Sequence, residues 1–142
     1  MQQGSIVNLH IARKSGTPSD PVQEATAISA KGLEGDRSCR EDNTRQVLVM
    51  DKETLDKLDI KPGQIKENIT TIGLDLAQTQ PGQVLFIGDQ VTMEIVGECE
   101  PCGRMDAIRS GLRKELNGRR GMLAVVINGG PLKVGDAIRI EP

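Results

Sequence analysis

Apolar positions along this chain fall mostly in short runs broken by Gly, Pro and Asp, the signature of many brief strands and few helices. SIVNLHIA (5–12) alternates in part, RQVLVMD (45–51) is a compact apolar strand, and MLAVVI (122–127) reads as another, buried one. ENITTIGLDL lies between them as a further β-prone run. In QVLFIGDQVTMEIVG (83–97) two strands flank Gly88-Asp89, which reads as a hairpin connection. PLKVGDAIRIEP (131–142) repeats that order of Pro, apolar pair, Gly-Asp and strand, and reads as the same hairpin chemistry rather than a duplication. Helical spacing is confined to two places. Leu55 and Leu58 in KETLDKLDI are followed by a stop at KPG (61–63), and Met105, Ile108, Leu112 and Leu116 recur through MDAIRSGLRKEL. The pattern predicts a mainly β (α+β) fold: a small β-barrel flanked or plugged by one or two helices, with sixteen glycines to turn its corners.

A chain of 142 residues with 37% hydrophobic content can bury one core, so residues 1–142 are expected to form a single domain. The longest apolar run, 122–127, is far too short to cross a bilayer, and the N-terminus has no leader pattern. A cytoplasmic protein without a membrane partner is expected. An odd count of three cysteines in a domain of this size argues for reduced thiols. The net charge of −2 gives no reason to expect nucleic acid as a partner. Residues 103–120, however, hold six basic side chains against Asp106 and Glu115. With Phe86 as the one aromatic residue there is no platform for stacking bases, so a compact anion such as phosphate suits that segment better. The plainer alternative is a solvated helix face.

GECEPCGRMD (97–106) places Cys99 and Cys102 three apart, between a strand and a helical pattern. The spacing is open to a redox pair, half of a zinc site completed by Cys39 and His10, or one working cysteine beside a bystander. Cys102 follows Pro101 at or just before the expected helix start, a setting that favours a thiolate, whereas Cys39 and Cys99 read best as small buried hydrophobes. His10 sits in an apolar strand and reads as a core or surface histidine. KGLEGDRS (31–38) packs two glycines and Asp36-Arg37 into a turn whose backbone could approach a ligand, or which could simply carry a surface ion pair. Asn68 would cap a turn or hold a ligand. GRRG (118–121) offers two guanidinium forks, or a helix cap with two exposed arginines.

The order KGLEGDR, RQVLVMD, ENITTIGLDL, PGQVLFIGD, Pro101-Cys102, then GRRGMLAVVINGG with LKVGDAI resembles the MOSC domain, the C-terminal module of molybdenum cofactor sulfurases, over about residues 5–141. That resemblance implies a β-barrel with a few helices and a pterin-bound molybdenum partner. It implies that Cys102 is the metal ligand and central reactive residue, because the cysteine of the Pro-Cys segment ligates molybdenum in relatives such as the mitochondrial amidoxime reducing component. By the same matching, Lys31, Arg37, Asn68, Arg104, Arg119 and Arg120 are candidates for holding the pterin phosphate or lining its pocket. Many relatives carry a histidine directly after GDR; this chain has Ser38 and then Cys39, so no role of that histidine transfers.

Three functions follow from the resemblance. The chain could hold a molybdopterin cofactor, or its tungsten form, through Cys102 as a carrier or maturation protein, serving a molybdoenzyme. It could reduce N-hydroxylated substrates with electrons from a separate donor protein, since it carries no flavin, haem or iron–sulfur signature. Or Cys102 could carry a persulfide from a sulfur donor, without metal.

Overall fold

The computed structural model describes residues 1–141. Among these residues eleven strands are arranged as a closed barrel and a small side sheet. The strands are β1 (Gln2–Ile11), β2 (Asp20–Val22), β3 (Glu24–Ile28), β4 (Gly32–Leu33), β5 (Val47–Asp51) and β6 (Ile69–Ile72). They continue with β7 (Val84–Ile87), β8 (Val91–Glu98), β9 (Met122–Asn128), β10 (Gly130–Lys133) and β11 (Ala137–Ile140). The ring runs β11-β7-β8-β9-β5-β6-β1 and closes where Gln2 to Ser5 of β1 pair with Ile140 to Ala137 of β11, leaving β2 hung on β1 outside it. Closure removes the exposed edges that an open sheet would present. The side sheet is β10-β3-β4.

Alternation decides which residues fill the barrel. Ile6 and Leu9 of β1, Val47 and Val49 of β5, Leu85 and Ile87 of β7, Met93 and Ile95 of β8, and Ile138 and Ile140 of β11 form one cluster inside the ring. β5 is apolar on consecutive positions because both of its faces are covered. Its inward residues join the barrel, while Met50 faces outward and packs with Leu55, Ile60, Ile65, Met105, Leu112 and Leu116 under the helices. Leu48, also outward, meets Cys99 and Leu123 in a third small cluster.

Among the described residues three short α-helices flank the barrel. The first, α1 (Lys52–Lys57), is capped by Asp51, whose carboxylate accepts the Thr54 N–H at 2.9 Å. It connects β5 to β6, which pair in parallel with Val49 opposite Ile69. The helix lies where Leu55 and Leu58 at helical spacing predict one, and it supplies the crossover that parallel neighbours need. The run MDAIRSGLRKEL is likewise two helices, not one: α2 (Arg104–Ile108) and α3 (Leu112–Glu115). Gly111, at φ 85°, breaks the helix between them, and the apolar spacing survives because both pieces pack on the same cluster. The C-terminal echo of the hairpin is also corrected. Gly88-Asp89 does join paired strands β7 and β8, but β10 pairs with β3 while β11 pairs with β7 and β1. Val134-Gly135-Asp136 therefore carries the chain from one sheet to another. Among the described residues no helix is long and apolar enough to cross a membrane.

Candidate functional site

Outside the barrel, between the end of β1, the 61–66 turn, the start of α2 and the segment before β9, lies a cavity of about 980 Å³. Its lining holds six cationic side chains, Arg37, Arg45, Lys61, Lys66, Arg104 and Arg120, against one acid, Asp36. Such an imbalance in one concavity selects for anions.

Asp36 is not available to neutralise them, because it is spent on structure. Its Oδ1 accepts the Ala12 N–H at 2.7 Å and an Asn68 Nδ2–H at 3.0 Å, and its Oδ2 accepts the Ser38 N–H at 3.0 Å. Asn68 completes the frame. Its Oδ1 accepts the Leu48 N–H at 3.0 Å and its Nδ2 also donates to the His10 carbonyl at 3.1 Å. Two segments that the sequence presents separately, GDR and ENI, thus lock β1, β5 and β6 together at the cavity wall. The Arg37 N–H donates to the Ala12 carbonyl at 2.8 Å, while its guanidinium makes no hydrogen bond within the described chain and lines the cavity.

Arg120 forms the floor. It is 6% exposed; one terminal nitrogen donates to the Ile65 carbonyl at 2.6 Å and the other, Nη1, is buried without a partner. Burial pulls the guanidinium down from its ordinary pKa, and Cys99, then Glu67 and Cys102, push it back up. A guanidinium starts so high that it stays charged through this. Glu67 behind it is fully buried, and burial pushes its carboxyl pKa up against the opposing pull of neighbouring backbone amides and Arg120. The glycines of GRRG explain the turn inward: Gly118 sits at φ 80° and Gly121 at φ 110°, where a Cβ would lie 2.6 Å from the Val49 carbonyl oxygen.

Cys102 is exposed and lines this cavity. It precedes Gly103, the residue before α2, and its carbonyl accepts the Met105 N–H at 3.0 Å. A helix of five residues contributes little dipole, so the cationic surroundings are the larger electrostatic influence. Cys99 reaches the same cavity from the end of β8 but is 3% exposed, packed with Leu48 and Leu123, with an Arg45 nitrogen 3.8 Å from its sulfur. Cys39 is half-buried away from the cavity, and burial followed by the charge of Asp36 pushes its thiol pKa up. All three are free thiols, and among the described residues no cluster of three or more His, Cys, Asp or Glu side chains is arranged to hold a metal.

Of the sequence candidates, Cys102, Arg37, Asn68, Arg104 and Arg120 share this cavity. Lys31 does not line it and pairs with Glu41 at 3.9 Å. Arg119 faces a separate hollow beside Asp51 and Asp75, its Nε donating to the Glu115 carbonyl at 3.0 Å. Sequence reasoning missed Arg45, Lys61 and Lys66. Arg45 stands at the head of a strand in RQVLVMD and Lys61 opens the KPG turn, positions that reveal nothing until β5 and that turn meet.

No functionally curated protein matches the chain at a significant level. Among solved structures, the YuaD protein from Bacillus subtilis superposes with a TM-score of 0.85 at 18% identity, covering 97% of this chain and 95% of that one. YiiM from Geobacillus stearothermophilus gives 0.77 at 15% identity over 98% of this chain and 75% of its own. YiiM from Escherichia coli gives 0.71 at 19% over 100% and 70%. At these identities the likeness is one of fold. A family model for the MOSC domain matches residues 36–139, from the Asp36 latch through the closing strand β11, and that span exceeds half of the sequence. The chain belongs to the MOSC domain family and is related in that sense to the molybdenum cofactor sulfurases.

Proposed function

We propose that this protein holds a molybdenum-pterin cofactor, or its tungsten counterpart, through Cys102, as a carrier or maturation protein. One observation carries the reading: an exposed thiol opens onto a cavity with six cations whose buried floor, Arg120, has an unpartnered guanidinium nitrogen. The donor set fits the group. Thiolate is a soft ligand for the metal, and fixed guanidinium forks suit a dianionic phosphate. Bound there, the cofactor would supply the oxygen- or sulfur-transfer redox chemistry that side chains alone lack.

The chain's own contribution is to orient and to neutralise. Arg120, anchored on the Ile65 carbonyl, and Arg37, whose backbone is pinned to Ala12, are the phosphate ligands of this reading, with Arg104 and Arg45 beside them. Asn68 acts as a positioning residue, since its amide is already committed to Leu48, His10 and Asp36. Lys31 and Arg119, outside the cavity, would serve the cofactor only indirectly.

Expression in a host that makes the cofactor, anaerobic purification, metal analysis and fluorescence of the oxidised pterin test the reading. Molybdenum or tungsten and pterin in equal amounts are expected, lost in Cys102→Ser and retained in Cys99→Ser. Metal-free, pterin-free protein with one extra sulfur atom on Cys102 would overturn it in favour of a persulfide carrier. Turnover of an N-hydroxylated base with an artificial reductant would assign a reductase rather than a carrier.

A further inference from the structure

The cavity has a second polar wall that the cofactor reading does not use. It is built where the end of β1, the 13–19 loop and the 61–66 turn meet, and it presents His10, Ser19, Lys61 and Lys66. His10 is 7% exposed and its Nδ1 has no hydrogen-bond partner; the Ser19 hydroxyl is likewise buried and unpartnered. Buried polar atoms without partners are costly, and their gathering on one wall of a cavity points to a ligand that satisfies them.

The wall is also held in place. The His10 N–H donates to the Asn68 carbonyl at 2.8 Å, its carbonyl accepts from the Asn68 side chain, and its ring lies against Gly63. A Cβ on Gly63 would stand 2.6 Å from Nε2, and Gly63 has φ 86°, so only glycine fits beneath the imidazole. Lys66 ties the loop to the turn by donating from Nζ to the Thr17 carbonyl. Charge argues in the same direction. One dianionic phosphate with a thiolate leaves several of the six cations unmatched, and a cavity of about 980 Å³ lies at the upper end of single-ligand sites.

Resting on the cofactor reading only for the occupant of the rest of the cavity, we propose that His10, Ser19, Lys61 and Lys66 form a subsite for the oxyanion group of a second small molecule, the substrate or exchange partner. Burial lowers the His10 pKa, so the free imidazole is neutral near pH 7 and can donate one N–H while the lysines supply the charge. The charged and titratable groups sharing the cavity with it are the six cations, Cys99, Cys102 and Asp36, the last already satisfied by N–H donors.

His10 is the one histidine in the chain, so its ring nitrogens can be followed by NMR without ambiguity. Inorganic sulfate, which does not titrate near neutral pH, is the probe, added to Cys102→Ser protein so that no metal is held. A saturable shift of the His10 ring signals is expected, with affinity weakened about tenfold in Lys61→Ala/Lys66→Ala and several-fold in Ser19→Ala. Sulfate binding that leaves the His10 signals unmoved, or that is indifferent to both lysines, would overturn the subsite. Because the measurement is made without the cofactor, loss of metal binding in the separate test of Cys102 would leave this result standing, and the reverse.

Discussion

At the residue scale the decisive groups are those whose hydrogen bonds are fully committed. Asp36 needs acceptor capacity on both oxygens: two donors reach Oδ1 and the Ser38 N–H reaches Oδ2. In Asp36→Asn one oxygen becomes an NH2 facing a donor, so a buried bond is lost and a repulsive contact made. We expect a loss of about 2–3 kcal/mol in urea unfolding and weakened pterin retention, because Asp36 holds the Ser38 N–H beside Arg37 and the N–H of Ala12, to whose carbonyl Arg37 is pinned. An unchanged unfolding midpoint would refute the latch. Glu67 provides a pH test. Its folded pKa is raised by burial, so the stability gained from the neutral acid is complete below the unfolded value of 4.5 and is lost as pH rises through the folded pKa. Glu67→Gln should therefore match the wild type in acid and gain on it above that value, at up to about 1.4 kcal/mol per pH unit until the folded pKa is passed. Thermal midpoints of both proteins across about pH 4 to 8 would show parallel curves if the carboxyl were free of this strain. The sequence drew the eye to Arg37 and Asn68 from their turn and strand contexts. It could not show that Asn68 works by holding Asp36 and His10, since those partners lie 32 and 58 residues away.

At the element scale, what was legible followed from period and punctuation, and what was not followed from pairing. The strands around 5–12, 45–51, 83–97 and 122–127 appear where alternation or a compact apolar run announces them. β2, β3 and β4 were not anticipated: DPV, EATAI and GL are short, DPV has no buried residue and EATAI only Ala27, and the side sheet forms only when β3, beside β4, meets the distant β10. GRRG shows both sides. Two arginines between glycines signalled an unusual turn, yet only the pairing of β5 with β9 turns Arg120 inward and leaves Arg119 out. Gly121→Ala forces a Cβ against the Val49 carbonyl at a positive φ and should cost about 2–4 kcal/mol, loosening the Cys99 N–H bond to the Gly121 carbonyl. Gly118→Ala, with open space around it and φ 80°, should cost only about 1 kcal/mol. Circular-dichroism melts of the pair would separate the two; equal destabilisation would mean that the close approach of β5 is not what fixes the turn.

For the whole molecule, charge is distributed unevenly around a neutral-looking total. The chain carries a net −2, yet the cavity wall holds six cations and one acid, so the acidic excess lies on the remaining surface. Closure of the barrel is what makes this possible, because β1 and β11 seal the apolar interior and leave the outer faces of β5 and β9, with the helices, to build a polar cavity. A concave basic patch in an acidic molecule attracts anions through a field that salt screens, with a Debye length of about 8 Å at 0.15 M. Affinity for inorganic pyrophosphate, measured by calorimetry, should fall about tenfold between roughly 0.03 and 0.3 M salt. Replacing Arg37 and Arg45 together by Gln removes two exposed charges from the rim without touching the buried Arg120, and should flatten that salt dependence while keeping the fold. If the double variant retained the full slope, the attraction would have to arise from charges outside this cavity, and the placement of the anion site here would fail with it.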